Sequence, residues 1–176
     1  MTVQMKGAFK EFDPEAYQQW GGPARAAVAA FLEKKNMIVA NNREDGGVDI
    51  VAVTTNPTRT LFIEVEVRPA CWEVVGGGRR MWRYPALHVL ERKAKLLQNV
   101  DPASFWLFAL SDNMRDAMVA DGASILASPQ KEVPNSQVPE GELFFDVPID
   151  LCEYRDLQGQ WATAPEPSST TASSHH

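Results

Sequence analysis

The stretch FIEVEVRPACW, Phe62 to Trp72, decides how the chain is to be read. Leu61, Ile63, Val65 and Val67 alternate with Phe62, Glu64, Glu66 and Arg68, the period-two pattern of a strand with two unlike faces. Glu64 and Glu66 therefore share a face, with Cα atoms about 6.5–7 Å apart. Like charges at that distance repel by about 0.6 kcal/mol in water and by about 2.4 kcal/mol at an effective dielectric of about 20. On a solvated face the pair is inconsequential. On a covered face a cation has to sit between them.

Composition frames that choice. At 176 residues, 44% hydrophobic and 23% charged, the chain has the size and make-up of one globular domain, expected over residues 1–157. From Gln158 to His176 the sequence is of low complexity and reads as a disordered tail, its last two histidines as a tag remnant. Cys71 and Cys152 lie far apart and form no CxxC, so neither a zinc site nor a disulfide framework is indicated. The first twenty residues lack an apolar core of signal-peptide length, and the longest apolar run, FWLFAL, is far too short to cross a bilayer. A reduced, cytoplasmic location with no membrane partner is expected. A net charge of −6 argues against nonspecific coating of nucleic acid, but it is an average that can hide a local basic patch.

Working outward, Asp13-Pro14-Glu15 predicts a short helix to Trp20, ended by Gly21-Gly22. Pro23 opens a stronger helix, PARAAVAAFLEKK, with Val28, Phe31 and Leu32 as its apolar stripe. MIVA (37–40) and VDIVAV (48–53) read as strands before the one containing FIEVEV, with turn chemistry between them. After the loop holding GGGRR (76–80), Pro85 opens an expected helix from Ala86 to Asn99. SFWLFALS reads as an interior strand. MRDAMVADG is expected to add a helical turn, ASILAS a short strand, Pro129–Gly141 a loop and LFFDVPI a last apolar segment. Three strands joined by short turns make an antiparallel meander, and a helix before the fourth strand permits a crossover. The fold class is α/β (α+β), a mixed central sheet flanked by helices.

Three carboxylates then stand in adjacent strands, each within an apolar run: Asp49, Glu64 and Glu66. Together they form a hard-oxygen set suited to Mg²⁺ or Mn²⁺. Spacing alone leaves open that the two glutamates simply face water. A helical projection of ALHVLERKAKLLQN places Lys93 inside the arc of Leu87, Val89, Leu90, Ala94, Leu96 and Leu97, the one charged residue on the sheet-facing side. A lysine there either snorkels or meets a carboxylate, since an unpaired buried ammonium is too costly.

These residues resemble the PD-(D/E)xK nuclease superfamily, over a core from about Pro23 to Asp112. The matching positions are Asp49 and Glu64-Val65-Glu66, with Glu66 in place of the motif lysine, Val48 in place of the proline, and Ala26-Ala27 where a helix acid is often found. The resemblance implies an αβββαβ restriction-endonuclease-like core and Mg²⁺ (or Mn²⁺) held by Asp49, Glu64 and the Val65 carbonyl. It also implies catalysis by Asp49, Glu64, Glu66 and Lys93, with Glu66 completing the coordination or accepting a proton, and Lys93 supplied from the helix that follows the third strand.

From Arg68 to Lys95, seven basic residues stand against two acids, Glu73 and Glu91. Arg68, Arg79, Arg80, Arg83, Arg92 and Lys95 are expected to meet phosphates, with Trp72 and Trp82 interleaved for stacking. The bland alternative is a solvated loop whose tryptophans join the core. No GxSxG is present, and the internal histidine, His88, is expected on the polar arc of its helix, so hydrolase triads are not indicated. The functional expectation is a Mg²⁺-dependent nuclease acting on DNA, for which a two-fold homodimer would suit cleavage of both strands. The alternative is a non-catalytic module on the same scaffold that binds nucleic acid or protein.

Overall fold

The computed structural model describes residues 20–40, 47–133 and 141–159. The expected helix over Pro14–Trp20 lies almost wholly outside these, as does the tail from residue 160 onward. Helix α1 spans Gly22–Lys34 with Pro23 in its first turn, as the sequence predicts. It ends where Asn36 takes a left-handed conformation (φ 61°) and the amides of Asn36 and Met37 bond back to Glu33 and Leu32.

Strands β1 (Ile38–Ala40), β2 (Ile50–Thr55) and β3 (Thr58–Val67) form the antiparallel meander. The segment after β3 carries a hairpin of β4 (Trp72–Val74) and β5 (Arg80–Trp82), then β6 (Ala86–Leu90). A 3-10 helix, Glu91–Leu97, leads on to β7 (Phe105–Leu110), which lies parallel to β3. Next come β8 (Asp116–Asp121), helix α2 (Gly122–Ala127), β9 (Gln130–Val133), β10 (Glu142–Pro148) and β11 (Glu153–Asp156). The main sheet has six strands in the order β1-β2-β3-β7-β8-β11, and a second sheet has the order β6-β10-β9. The fold is thus mixed α and β around a mixed central sheet.

Four sequence expectations fail here. Ala86–Asn99 is not a helix: its first five residues also fit a period of two, with Leu87 and Val89 buried, and pairing with β10 from Leu90↔Phe144 to Ala86↔Pro148 selects the strand. The 3-10 helix follows. MRDAMVADG forms β8, because its place between β7 and β11 supplies hydrogen bonds on both sides. ASILAS is helical, since the Asp121 side chain caps it by accepting from the Ser124 amide at 2.8 Å. Gln130–Val133, read as loop, pairs with β10.

The main sheet is covered on both faces. Helix α1 packs Ala24, Val28, Phe31 and Leu32 on Ile50, Ala52, Leu61, Ile63 and Phe108. The opposite face holds Phe105, Leu107, Ala109, Met118 and Ala120 under Trp72, Trp82, Leu87, Val89 and Val147. Strand β7 is sandwiched between these layers, as its unbroken apolar run predicts. At one end of the sheet Asp116, fully buried, pairs with Arg79 (2.9 Å) and accepts the Tyr154 hydroxyl. Asp156 accepts from Arg115 through Nε and Nη2 at 3.0 and 3.1 Å, and lies 3.3 Å from Arg79.

Burial alone would raise the Asp156 carboxyl, but the bonds from Arg115 and the Gln158 amide, with the charge of Arg79, outweigh it and hold it below the ordinary range. A depressed carboxyl stabilises the fold above its unfolded pKa of about 3.9, and that contribution disappears as pH falls through the folded value. Asp156→Asn should therefore cost about 2 kcal/mol at neutral pH. Urea titrations over a pH series should show the gap from wild type closing below about pH 4.

Candidate functional site

The alternation of β3 puts Leu61, Ile63, Val65 and Val67 toward α1 and Phe62, Glu64 and Glu66 toward the other layer. That second face is covered, so the charged pair needs cations. Glu64 is 8% exposed. Lys93, from the first turn of the 3-10 helix, donates directly to Glu64 Oε1, and its Nζ lies 3.4 Å from Glu66 Oε1. Arg68 closes the other side of Glu66: its Nε donates at 2.8 Å and Nη2 also reaches Oε2, while Nη1 donates to the His88 carbonyl. Lys93 thus meets the carboxylates as expected, though the helix that motivated the expectation does not exist. In a 3-10 helix side chains recur every three residues, which leaves Lys93 between Leu90 and Leu96 on one face.

Asp49 immediately precedes β2. The Val65 amide donates to its Oδ2 at 2.8 Å, which pins the carboxylate beside the backbone that carries Glu64. Arg25 of α1 approaches Asp49 Oδ1 at 3.9 Å. Sequence reasoning missed Arg25, but the signal was present. It sits three, four and seven residues before Val28, Ala29 and Leu32, on the packed stripe of its helix. A cleft of about 230 Å³ opens beside Asp49, lined by Trp20, Ala24, Arg25, Val65 and Val67. The larger cleft, about 450 Å³ between Arg59, Trp106 and Arg155, lies toward the other end of β3 and touches none of these acids.

The electrostatics separate the two glutamates. Burial raises the Glu64 carboxyl; Lys93 pulls it down, but the charges of Asp49 and Glu66 add to the rise, and it stays above the ordinary range. Burial also pushes Glu66 up, yet Arg68 and then Lys93 outweigh it and hold Glu66 below that range. Lys93 is raised: burial disfavours its charge, and Glu66 and Glu64 more than restore it. It is therefore a fixed ammonium at neutral pH.

Among the described residues no three His, Cys, Asp or Glu side chains form a group that could hold a metal ion. The three-carboxylate cage expected from the sequence is not formed: Glu66 is held by Arg68 and Lys93, Glu64 by Lys93, and Asp49 by the Val65 amide. Asp49 and Glu64 remain, both hard oxygen donors. Mg²⁺ commonly takes one or two carboxylates and fills its octahedron with water and substrate phosphate, so in donor chemistry alone the two residues suit it.

No family model matches the chain, and neither a curated protein nor a solved structure matches it.

The expected nucleic-acid contacts divide into two groups. Trp72 and Trp82 pack edge to face in the core, ring centroids 5.2 Å apart, and have no open face for stacking on bases. Arg79 is tied to Asp116, Asp156 and Tyr154, Arg80 to Asp112, and Arg68 to Glu66. The tryptophans were drawn inward by the apolar layer over β7, Arg79 and Arg80 by acids remote in sequence, and Arg68 by Glu66 two residues before it. Arg83, Arg92 and Lys95 are exposed. His88 lies on β6 rather than on a helix, 2.9 Å from Asp146.

Arg68 and Arg92 should consequently differ in weight. Arg68→Met leaves Glu66 half-compensated and should cost about 3 kcal/mol in urea denaturation. Arg92→Gln should stay within about 0.5 kcal/mol of wild type.

Proposed function

We propose that the chain is a Mg²⁺-dependent nuclease hydrolysing phosphodiester bonds in DNA, on a restriction-endonuclease-like core. The observation that carries this reading is the ion pair of Lys93 with Glu64 on the strand whose Val65 amide binds Asp49. The order of helix, antiparallel meander and parallel fourth strand supports it as well.

Asp49 and Glu64 would hold the ion, with the Val65 carbonyl on the same stretch, and the ion would supply Lewis-acid polarisation of the scissile phosphate. Lys93 would contribute positive charge where negative charge develops on the phosphoryl oxygens and would orient the attacking water. Its raised pKa makes it an electrostatic group and not a general base. Glu66, held low by two cations, is likewise a poor proton acceptor. Arg83, Arg92 and Lys95, exposed along the segment between β5 and the end of the 3-10 helix, would meet the backbone phosphates.

A second reading keeps the scaffold without the chemistry. Its support is that Lys93, Arg68 and Arg25 already face the three carboxylates, so the site is neutral as it stands. Plasmid and single-stranded DNA incubated with Mg²⁺, Mn²⁺ or EDTA distinguish the two. The nuclease reading expects cleavage with either metal and none with EDTA or in Asp49→Asn and Glu64→Gln. Binding without cleavage under every condition selects the second reading.

The phosphate contacts have their own measurement. With Ca²⁺ in place of Mg²⁺, anisotropy across a salt series gives the slope of log affinity against log salt. Changing Arg83, Arg92 and Lys95 together to Gln should flatten it by about 2–3, since each lost phosphate contact removes about 0.9. An unchanged slope would place the DNA elsewhere.

A further inference from the structure

Helix α1 does not take up the whole of its face of the main sheet. Phe31 of α1 packs edge to face on Phe108, ring centroids 6.3 Å apart, and beyond that contact, toward β11, lies the cleft of about 450 Å³. Sites for small molecules commonly measure about 300–1,000 Å³. The floor is apolar, made by Trp106 and Phe108 of β7 and Val119 of β8. Two charges of opposite sign flank it, Arg59 near the start of β3 and Asp121 at the end of β8. Neutral groups hold both in place. The Arg59 guanidinium donates through Nε to Ser104 Oγ at 3.2 Å and through Nη2 to the Ala103 carbonyl at 2.6 Å. Asp121 accepts from the Ser124 amide at 2.8 Å and from its hydroxyl at 3.1 Å, one bond on each oxygen. Among the described residues neither Arg59 nor Asp121 has a partner of opposite charge, whereas Arg155 and Glu153, the other two charges of the cleft, pair with each other. We propose that this cleft binds a free α-amino acid with an aromatic side chain, its carboxylate on Arg59, its ammonium on Asp121 and its ring over Trp106 and Phe108.

Register sets the spacing of the two poles. Asp121 of β8 is the partner of Trp106, and Ser104, which holds the guanidinium, lies two residues before Trp106. One strand spacing across the sheet and two residues along it put the charges roughly 8 Å apart. A charge-assisted bond of about 2.8 Å at each end leaves about 3 Å, which matches an ammonium and a carboxylate carried on one carbon. Both poles have capacity for such a ligand. Arg59 retains the donors of Nη1, and each Asp121 oxygen retains a lone pair. A simple anion would suit Arg59 but would bring like charge to Asp121 and Glu153; a simple cation would suit Asp121 and oppose Arg59 and Arg155. A dipolar ligand suits both ends, and the half-buried Trp106 offers its ring a surface to pack on. The cleft lies on the face of β3 opposite Glu64 and Glu66, so the proposal stands whether or not those acids serve a nuclease.

Calorimetric titration of the full chain with three ligands tests this: phenylalanine, 3-phenylpropionate, which lacks the ammonium, and phenethylamine, which lacks the carboxylate. Phenylalanine should bind about tenfold or more tightly than either, since each truncated ligand gives up one charge-assisted hydrogen bond. Asp121→Asn preserves the cap of α2 and should weaken phenylalanine about tenfold while leaving 3-phenylpropionate no weaker. Arg59→Gln should weaken phenylalanine about tenfold and leave phenethylamine no weaker. A variant that had lost its fold would lose all three ligands together, and Asp121→Ser, which also caps a helix, then takes the place of Asp121→Asn. Equal affinity for phenylalanine and either truncated ligand would make the cleft a site for a single charge and overturn the proposal. So would a wild-type chain that does not bind phenylalanine, or binding that survives both substitutions unchanged.

Discussion

Two glutamates on one covered face of β3 constrain everything around them. A sheet face can carry Glu64 and Glu66 into a packed layer only if that layer returns positive charge to them, and here it returns two cations from different places. Arg68 comes from the end of the same strand. Lys93 comes from twenty-five residues further on, after a hairpin and a strand. The path of the crossover between β3 and β7 is therefore set by charge as well as by the apolar residues it lays on the sheet. Removing either cation would leave a buried carboxylate uncompensated, which is the expensive half of any buried ion pair.

The same logic operates at the end of β8 with a different outcome. Asp116 and Asp156 are buried and surrounded by Arg79, Arg115, Tyr154, Asn113 and backbone amides, so that nearly every lone pair has a donor. That network is saturated and structural. It fastens the β4–β5 hairpin to the ends of β8 and β11 through Arg79 and the Arg80 amide. The Glu64 site is not saturated: Lys93 is shared and one carboxyl is raised.

Much of this was legible in the sequence, for identifiable reasons. The meander followed from period two and short turns, β7 from an unbroken apolar run, and α1 from proline, alanines and an apolar stripe. Lys93 and the glutamates were brought together by asking which charges fall on packed faces. That question survives a wrong assignment of secondary structure, because Lys93 is flanked by apolar residues whether the segment is an α-helix or a strand running into a 3-10 turn. The Ala86–Leu90 strand was not legible. Its ladder partner, β10, lies more than fifty residues away, and both periods fit the five residues Ala-Leu-His-Val-Leu. The fates of Arg79, Arg80, Trp72 and Trp82 were hidden for a related reason. Local charge and aromatic content say what a loop could bind, but not which remote acids or apolar surfaces the fold will offer it first.

The parallel pairing of β3 with β7 carries one more consequence. Antiparallel β2 and β3 are joined by a tight turn, while β3 and β7 can meet only after the whole crossover, from Arg68 to Ser104, has been brought round. Closing a loop of that size costs about 2 kcal/mol more entropy than closing the turn. Glu64 stands on β3 just before that loop, and Lys93 lies within it, past β6. Their meeting is thus tied to the folding-back of the crossover onto β3. Residual structure in the meander alone would display two glutamates and no lysine.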